Sequence, residues 1–239
     1  AAAQALVTWV APADFGGDPA VTYTVQRTSA VSPTEADWVT LAGAEISISA
    51  TSATVISLTN GNSYQFRVRA TNAFGVGAWS TASSSVVPFD VASAPIISAT
   101  AGSNKIDLNI TALSNNGSTI TAYQYSINGG ATWVAFGSTA ASQTISSLVN
   151  GTTYTVRVRA INAAGAGPAV TSSPLTPLGQ ASAPTISAIT ALNASAVISF
   201  AEPTDNGGAP ITNYKYSLND GAFTALSPAA TTSPITISG

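Results

Sequence analysis

Apolar and polar residues alternate with a two-residue period over most of this chain, the mark of half-buried strands whose successive side chains point to opposite faces. One inward set runs Val7 and Trp9, then Ile106, Leu108 and Ile110, then Ala196, Ile198 and Phe200. A second runs Tyr23 and Val25, then Tyr123, Tyr125 and Ile127, then Tyr214, Tyr216 and Leu218. A third, Tyr64, Phe66, Val68 and Ala70, returns as Tyr154, Val156, Val158 and Ala160, and leaves Arg67, Arg69, Arg157 and Arg159 on the outer face. Helical periodicity is nearly absent: Pro33-Thr34-Glu35-Ala36-Asp37 reads as one turn, too short to stand alone. Asn128-Gly129 and Asp220-Gly221 predict two-residue hairpin turns, because Asn, Asp and Gly tolerate positive φ.

These sets recur because the sequence repeats. Asn60 to Gly77 returns as Asn150 to Gly167 at an offset of 90 (154 − 64), with 11 of 18 positions identical. Ile120 to Asn128 returns as Ile211 to Asn219 at an offset of 91 (211 − 120), and Ser93-Ala94-Pro95 returns as Ser182-Ala183-Pro184 at 89 (182 − 93). A period near 90 carrying two-residue alternation predicts an all-β chain of tandem units rather than a helical solenoid. The units are expected at 1–90, 91–179 and 180–239.

Composition narrows the chemistry. Only 7% of the 239 residues are charged, and there is no His and no Cys. Ser–His and Cys–His nucleophile pairs, zinc fingers, iron–sulfur clusters and disulfides are thereby excluded. No carboxylate pair recurs at matched positions, so the chain is read as non-enzymatic, with no cofactor. Seven Lys+Arg against ten Asp+Glu give a net charge of −3, the wrong sign for nucleic acid or an anionic membrane surface. No stretch approaches the roughly 20 apolar residues that cross a bilayer, so no membrane insertion is expected in this segment. The start, Ala1-Ala2-Ala3-Gln4, lacks a signal-peptide layout, and the absence of Met predicts a processed or excised piece.

Three features resemble the fibronectin type III family. They are Trp9 three residues before Pro12, the Tyr-x-Val/Tyr core strand, and the run Leu-x-Asn-Gly-x-x-Tyr-x-x-Arg-Val-Arg-Ala-x-Asn at Leu58–Asn72 and again at Leu148–Asn162. The resemblance covers essentially the whole chain and implies tandem seven-stranded Ig-like β-sandwiches. It also implies a tyrosine corner, in which Tyr64 and Tyr154 bond back to upstream backbone. Ile110 and Phe200 stand where the family usually has Trp, and Leu113 where it has Pro; an apolar plug is kept.

Counted against seven strands, the first and last units are short. Ile110 and Phe200 stand fifteen and sixteen residues after Pro95 and Pro184, whereas only eight residues precede Trp9, so the first unit is expected to lack its first strand. The third reaches Ile235-Thr236-Ile237-Ser238-Gly239 and is expected to lack its last two. Tyr214, Tyr216, Ile235 and Ile237 would then be uncovered, at roughly 1.5–3 kcal/mol for each large side chain. Two readings follow: a window from a longer array, or strands supplied by a neighbouring copy.

Candidate sites are few. The recurring outer arginines Arg67, Arg69, Arg157 and Arg159 suit an anionic ligand such as a surface glycan, against the plainer role of covering Tyr and Trp faces. Asp14-Phe15-Gly16-Gly17-Asp18 and Asp205-Asn206-Gly207-Gly208 carry oxygens that suit Ca²⁺, but one or two carboxylates fall short of six to eight ligands, and Asn115-Asn116-Gly117 has none; Asx turns and no metal are expected. No Arg-Gly-Asp occurs, and Phe74 with Trp79 forms a small aromatic patch expected to pack on the adjacent repeat. Asn109, Asn116, Asn150 and Asn193 begin Asn-x-Ser/Thr triplets. The linkers Pro88-Phe89-Asp90-Val91 and Pro174-Leu175-Thr176-Pro177-Leu178-Gly179 contain Pro that limits their freedom, which suits a semi-rigid rod.

The low charge and the Ala/Thr/Ser/Asn-rich repeats resemble bacterial-type exported surface proteins with tandem fibronectin type III units. That resemblance implies a structural or adhesive segment of an extracellular, cell-surface or filament-forming protein, partnered by other copies or flanking repeats. Accessory repeats of a secreted carbohydrate-active enzyme and a virion tail or surface decoration are the alternatives.

Overall fold

The computed structural model describes residues 2–238 and is all-β, with two single turns of 3-10 helix, at Glu35–Asp37 and Gly43–Glu45. The first stretch holds β1 (Ala5–Thr8), β2 (Thr22–Thr28), β3 (Val39–Thr40), β4 (Ile46–Ser49), β5 (Ser52–Val55), β6 (Gln65–Asn72) and β7 (Gly75–Val76). They form two antiparallel sheets, β1-β5-β4 and β3-β2-β6-β7, packed face to face. The second stretch holds β8 (Ile96–Gly102), β9 (Lys105–Thr111), β10 (Ala122–Ser126) and β11 (Val134–Ala135). It continues with β12 (Ser142–Ile145), β13 (Arg157–Asn162), β14 (Gly165–Ala166) and β15 (Val170–Thr171). Its sheets are β12-β9-β8 and β11-β10-β13-β14, with β15 also on β13. The third holds β16 (Thr185–Leu192), β17 (Ser195–Ala201), β18 (Lys215–Tyr216), β19 (Thr224–Ala225) and β20 (Ile235–Ser238), in sheets β16-β17-β20 and β18-β19.

The period is visible in the register. Ala5 pairs with Val55 and Ile106 with Ile145, so β1 and β9 occupy the same place in successive sandwiches. On that place β9 has a neighbour on each side, β12 and β8, whereas β1 has β5 alone. Tyr23 pairs with Ala70 and Tyr123 with Ala160 in the opposite sheets.

Each sandwich buries the alternating faces. Val25, Val55, Phe66 and Leu58 lie in the first core; Ile106, Ile145, Val156 and Val158 lie in the second, all four under 3% exposed. The third core is small, with Phe200, Tyr214 and Ile235 buried and the Phe200 and Tyr214 rings edge to face at 4.6 Å.

Three expectations are corrected. Tyr214, Ile235 and Ile237 are buried and Tyr216 half-buried rather than uncovered; Ile211, Leu226 and Ala230 pack from the flanking segments against Tyr214 and Ile235. The exposed apolar residues of that sandwich are instead Ile186, Ile189 and Leu192 on β16, a strand exposed at all eight positions, together with Leu218 and Phe223. Ile127 and Leu218 do not continue the inward set, since β10 ends at Ser126 and β18 at Tyr216 and both residues fall in turns. Finally, the two Gly-marked hairpins are longer than two residues. Tyr125 pairs with Val134 and Tyr216 with Thr224, and positive φ falls at Gly129 and Gly130 in one loop and at Asn219 and Asp220 in the other.

Candidate functional site: the arginine stacks and the joints between sandwiches

The outer face of β6 is roofed. Gln26 sits directly opposite Arg67 across the β2–β6 ladder, and the Arg67 Nε–H donates to Gln26 Oε1 at 2.8 Å. Its two terminal nitrogens donate to both carboxylate oxygens of Glu35, each at 2.7 Å. Glu35 comes from the 3-10 turn predicted around Pro33–Asp37, and Trp38, just after that turn, lies 4.5 Å from the guanidinium carbon. Trp79 covers the other approach at 4.6 Å and also lies 4.3 Å from Arg69. Arg67 is therefore 7% exposed despite its outward position, held by a fork of charge-assisted bonds between two indole faces.

The second sandwich solves the same problem one pleat along. Gln124 opposes Arg159, not Arg157, and Arg159 donates to Gln124 Oε1 at 2.9 and 2.7 Å with Trp133 4.0 Å away. Arg157 reaches the Gly129 carbonyl at 2.7 Å, with Trp133 5.9 Å from its guanidinium carbon. The period returns the pair Arg67 and Arg69 as Arg157 and Arg159 on the same face, but their partners make the two pairs unequal. The register position of the glutamine decides which arginine of each strand is bonded across the ladder.

The Arg67 guanidinium holds the Glu35 carboxyl below its ordinary range, opposed by a smaller burial effect. A depressed folded-state pKa means that the pair stabilises the fold fully above the ordinary carboxylate value of about 4.3 and is lost as pH falls through the lower folded value. Glu35→Gln is expected to remove this acid-sensitive component. Its melting temperature should fall less than that of the parent between pH 6 and pH 3, as read from tryptophan emission.

Tyr64 and Tyr154 occupy matching corners. The Tyr64 hydroxyl accepts from the Thr59 backbone N–H at 3.0 Å, and that of Tyr154 from the Val149 N–H at 3.0 Å. Each tyrosine thus pins the loop that precedes its strand, and those loops carry Asn60-Gly61 and Asn150-Gly151.

Here the two joints are built. The Gly61 N–H donates to the Pro88 carbonyl at 2.9 Å, and the Gly151 N–H to the Pro177 carbonyl at 2.8 Å; both prolines are fully buried. Against each glycine lies a glycine of the next sandwich, Gly117 on Gly61 and Gly208 on Gly151. All four have φ between +80° and +86°. A Cβ added to Gly117 would lie 2.7 Å from the Pro88 oxygen and 2.9 Å from the Gly61 Cα, and one added to Gly208 would lie 2.7 Å from the Gly151 Cα. Only residues with neither a Cβ nor an aversion to positive φ permit this approach.

Linker bonds complete each joint. At the first, the Asp90 N–H donates to Asn116 O at 3.0 Å, Ser93 N–H to Ser114 O at 2.9 Å, and Asn116 Nδ2 to Val91 O at 2.8 Å. The buried Asn162 donates to Asp90 O at 2.7 Å. At the second, Gly179 N–H donates to Gly207 O and Ser182 N–H to Asp205 O, both at 2.8 Å.

Of the loops weighed above, Asn115–Gly117 and Asp205–Gly208 form half of each joint, whereas Asp14–Asp18 belongs to neither. Their Asp and Asn oxygens accept backbone N–H groups two residues on: Asp205 from Gly207 at 2.8 Å, Asn115 from Gly117 at 3.1 Å and Asp14 from Gly16 at 2.8 Å. No cluster of three or more metal-ligating side chains occurs among the described residues. Phe74 does not pack on a neighbouring sandwich: it is 80% exposed on the rim of a groove beside Trp79. Sequence reasoning missed the joint glycines as a pair, although both members stood in loops it had marked, because their proximity is set by the linker path.

No helix among the described residues is long and apolar enough to cross a membrane. The FN1-FN3 domains of chicken CNTN1 align with 99% of this chain and 81% of theirs, at 21% sequence identity and a TM-score of 0.40. Residues 2–86, the first of the three sandwiches, match the family model of the fibronectin type III domain.

Proposed function

We propose that this chain is a non-catalytic structural or adhesive segment of an extracellular surface or filament-forming protein, in which it works as a semi-rigid spacer partnered by further units of its own kind. The observation that carries the reading is the repetition of one joint design. A Pro carbonyl clamps a corner glycine, and a glycine from the next sandwich seats against it, at Gly61–Gly117 and again at Gly151–Gly208. A tether that only linked independent domains would have no need of a backbone seat that excludes every Cβ. With linkers held by buried proline and backbone bonds, each sandwich adds a fixed length and a fixed rotation, which is what a spacer requires. The surface suits exposure in bulk: it is polar through hydroxyls and amides, with 7% charged residues and no Cys to oxidise.

The absence of native cysteine makes the test direct. Spin labels placed on an introduced cysteine in β4 and another in β16 would report the distance between the first and third sandwiches. A single narrow distribution, unchanged by salt, is the expected result. A broad distribution like that of a flexible tether would overturn the spacer reading.

A further inference from the structure

Five Asn-Gly dipeptides occur in the sequence, at Asn60, Asn116, Asn128, Asn150 and Asn206. Such a pair is able to close on itself, because glycine puts no Cβ in the way when its amide nitrogen attacks the preceding side-chain amide. The fold ties up that nitrogen at four of the five. The Gly61 and Gly151 N–H groups donate to the Pro88 and Pro177 carbonyls, Gly117 N–H to Asn115 Oδ1 at 3.1 Å and Gly207 N–H to Asp205 Oδ1 at 2.8 Å. The Gly129 N–H donates to no group among the described residues. Gly129 is exposed, with φ of +73° and nothing within 4 Å of a would-be Cβ, so solvent base reaches its nitrogen.

The Asn128 side chain is held for attack. Its Oδ1 accepts from the Ser126 hydroxyl at 2.8 Å and from the Thr132 N–H at 3.0 Å. Its Nδ2 donates to Thr132 Oγ1 at 2.8 Å. Two donors thus stand where negative charge grows as a nucleophile adds to Cγ, the arrangement of an oxyanion hole. Ser126 is 2% exposed and is itself fixed, its Oγ accepting the Gly130 N–H at 2.9 Å. Among the described residues the Oδ1 atoms of Asn60, Asn116, Asn150 and Asn206 accept one bond each, from Ala3, Ser114, Asn104 and Gly208. The repeat returns Ser126-Ile127-Asn128 as Ser217-Leu218-Asn219, but there the next residue is Asp220 and the Ser217 hydroxyl donates to the Gly221 carbonyl at 2.7 Å.

We propose that Asn128 is a self-modification site, converted to aspartate or isoaspartate through a succinimide formed with Gly129. The Gly129 nitrogen gives its proton to solvent base and bonds to Asn128 Cγ, while Oδ1 carries the negative charge between Ser126 and Thr132. The Cγ–Nδ2 bond then breaks, and the amine takes up a proton beside the Thr132 hydroxyl and leaves as ammonia. Water adds to either carbonyl of the ring and opens it to a carboxylate. No oxidant or reductant is needed. The added charge falls where it is lacking: residues 91–179 hold Lys105, Arg157 and Arg159 against Asp107 alone, and Asp107 is paired with Lys105 at 2.6 Å. Arg157, bonded to the Gly129 carbonyl at 2.7 Å, gains a carboxylate one residue away. The site does not depend on the spacer reading, since all its atoms lie in one hairpin.

The test incubates the whole chain at mildly alkaline pH and maps it by peptide mass spectrometry, which reads the amide-to-acid mass gain and the shifted elution of isoaspartyl peptides. Asn128 is expected to convert about fivefold or more faster than each of the other four Asn-Gly sites. In urea the five rates should draw level, because the dipeptide alone then sets them. Ser126→Ala should slow Asn128 by about tenfold through loss of one oxyanion donor, and Gly129→Ala should slow it further by obstructing the nitrogen. Melting transitions of both variants well above the incubation temperature would show that the slower reaction is not a loss of folding. Conversion led by another Asn-Gly site, the same ranking in urea, or an unchanged rate in Ser126→Ala or Gly129→Ala would each overturn the proposal.

Discussion

Alanine at Gly117 and Gly208 is expected to unlock both joints while leaving all three sandwiches folded. Each added Cβ would strike the backbone nitrogen of the facing glycine, Gly61 or Gly151, and lie 2.7 to 2.9 Å from further backbone atoms, where no side chain can swing away. Relief must come from movement of one sandwich against the next, with loss of the Gly61–Pro88 and Gly151–Pro177 bonds. The positive φ adds a local cost of roughly 1–2 kcal/mol for each alanine. Gly17→Ala and Gly129→Ala separate the two effects, because both glycines have positive φ and open space around the would-be Cβ. The controls should lower stability slightly and leave the interdomain distance narrow. The Gly117→Ala, Gly208→Ala double variant should broaden it and raise the radius of gyration measured by X-ray scattering. A narrow, parent-like distribution in the double variant would mean that the glycine seats do not hold the joints.

Arg67→Ala is expected to be the most damaging outer-face substitution. It removes the forked pair with Glu35, the bond to Gln26 and the cation between Trp38 and Trp79. Together these predict a loss of about 2–4 kcal/mol in the first sandwich, more than an ordinary surface change. Arg67→Lys should recover only part of this, since an ammonium keeps the charge but not the planar fork that bonds Glu35 and stacks on indole. Thermal unfolding followed by tryptophan emission reads both, with Trp38 and Trp79 as local reporters. Arg157→Ala is the internal comparison: its main bond goes to one backbone carbonyl and its Trp133 lies 5.9 Å away, so a smaller loss is expected. Equal losses at Arg67 and Arg157 would show that the stack contributes little.

Much of the fold was legible because strand periodicity is a local signal. Alternation placed Val25, Phe66, Ile106, Leu108 and Val158 in cores and matched β1 to β9, and the 90-residue period aligned β6 with β13 and β9 with β17. Where alternation ran past a strand end it misled, as at Ile127 and Leu218, since pairing decides how far a strand extends. The arginines alternate with the core residues of their strands, but the side of a strand does not determine exposure. Arg67 is buried because a turn 32 residues earlier and a tryptophan 12 residues later converge on it. No pattern within the Arg-Val-Arg motif carries that information.

Residue order alone therefore settled the all-β class, the repeat length, the inward face of the core strands and, through composition, the absence of thiol and imidazole side chains. Those properties depend on the pleat and on composition, which act within a few residues. Tertiary structure decided the rest: which arginine of each pair bonds the glutamine across the ladder, and that the Asn-Gly corners and the Asp/Asn-Gly loops meet as joints. Each of these is a contact between segments tens of residues apart, fixed by the linker path and the packing of whole sandwiches. Glycine shows the difference most plainly. In the sequence Gly61 and Gly117 are ordinary turn residues, and only the fold makes each the space that the other occupies.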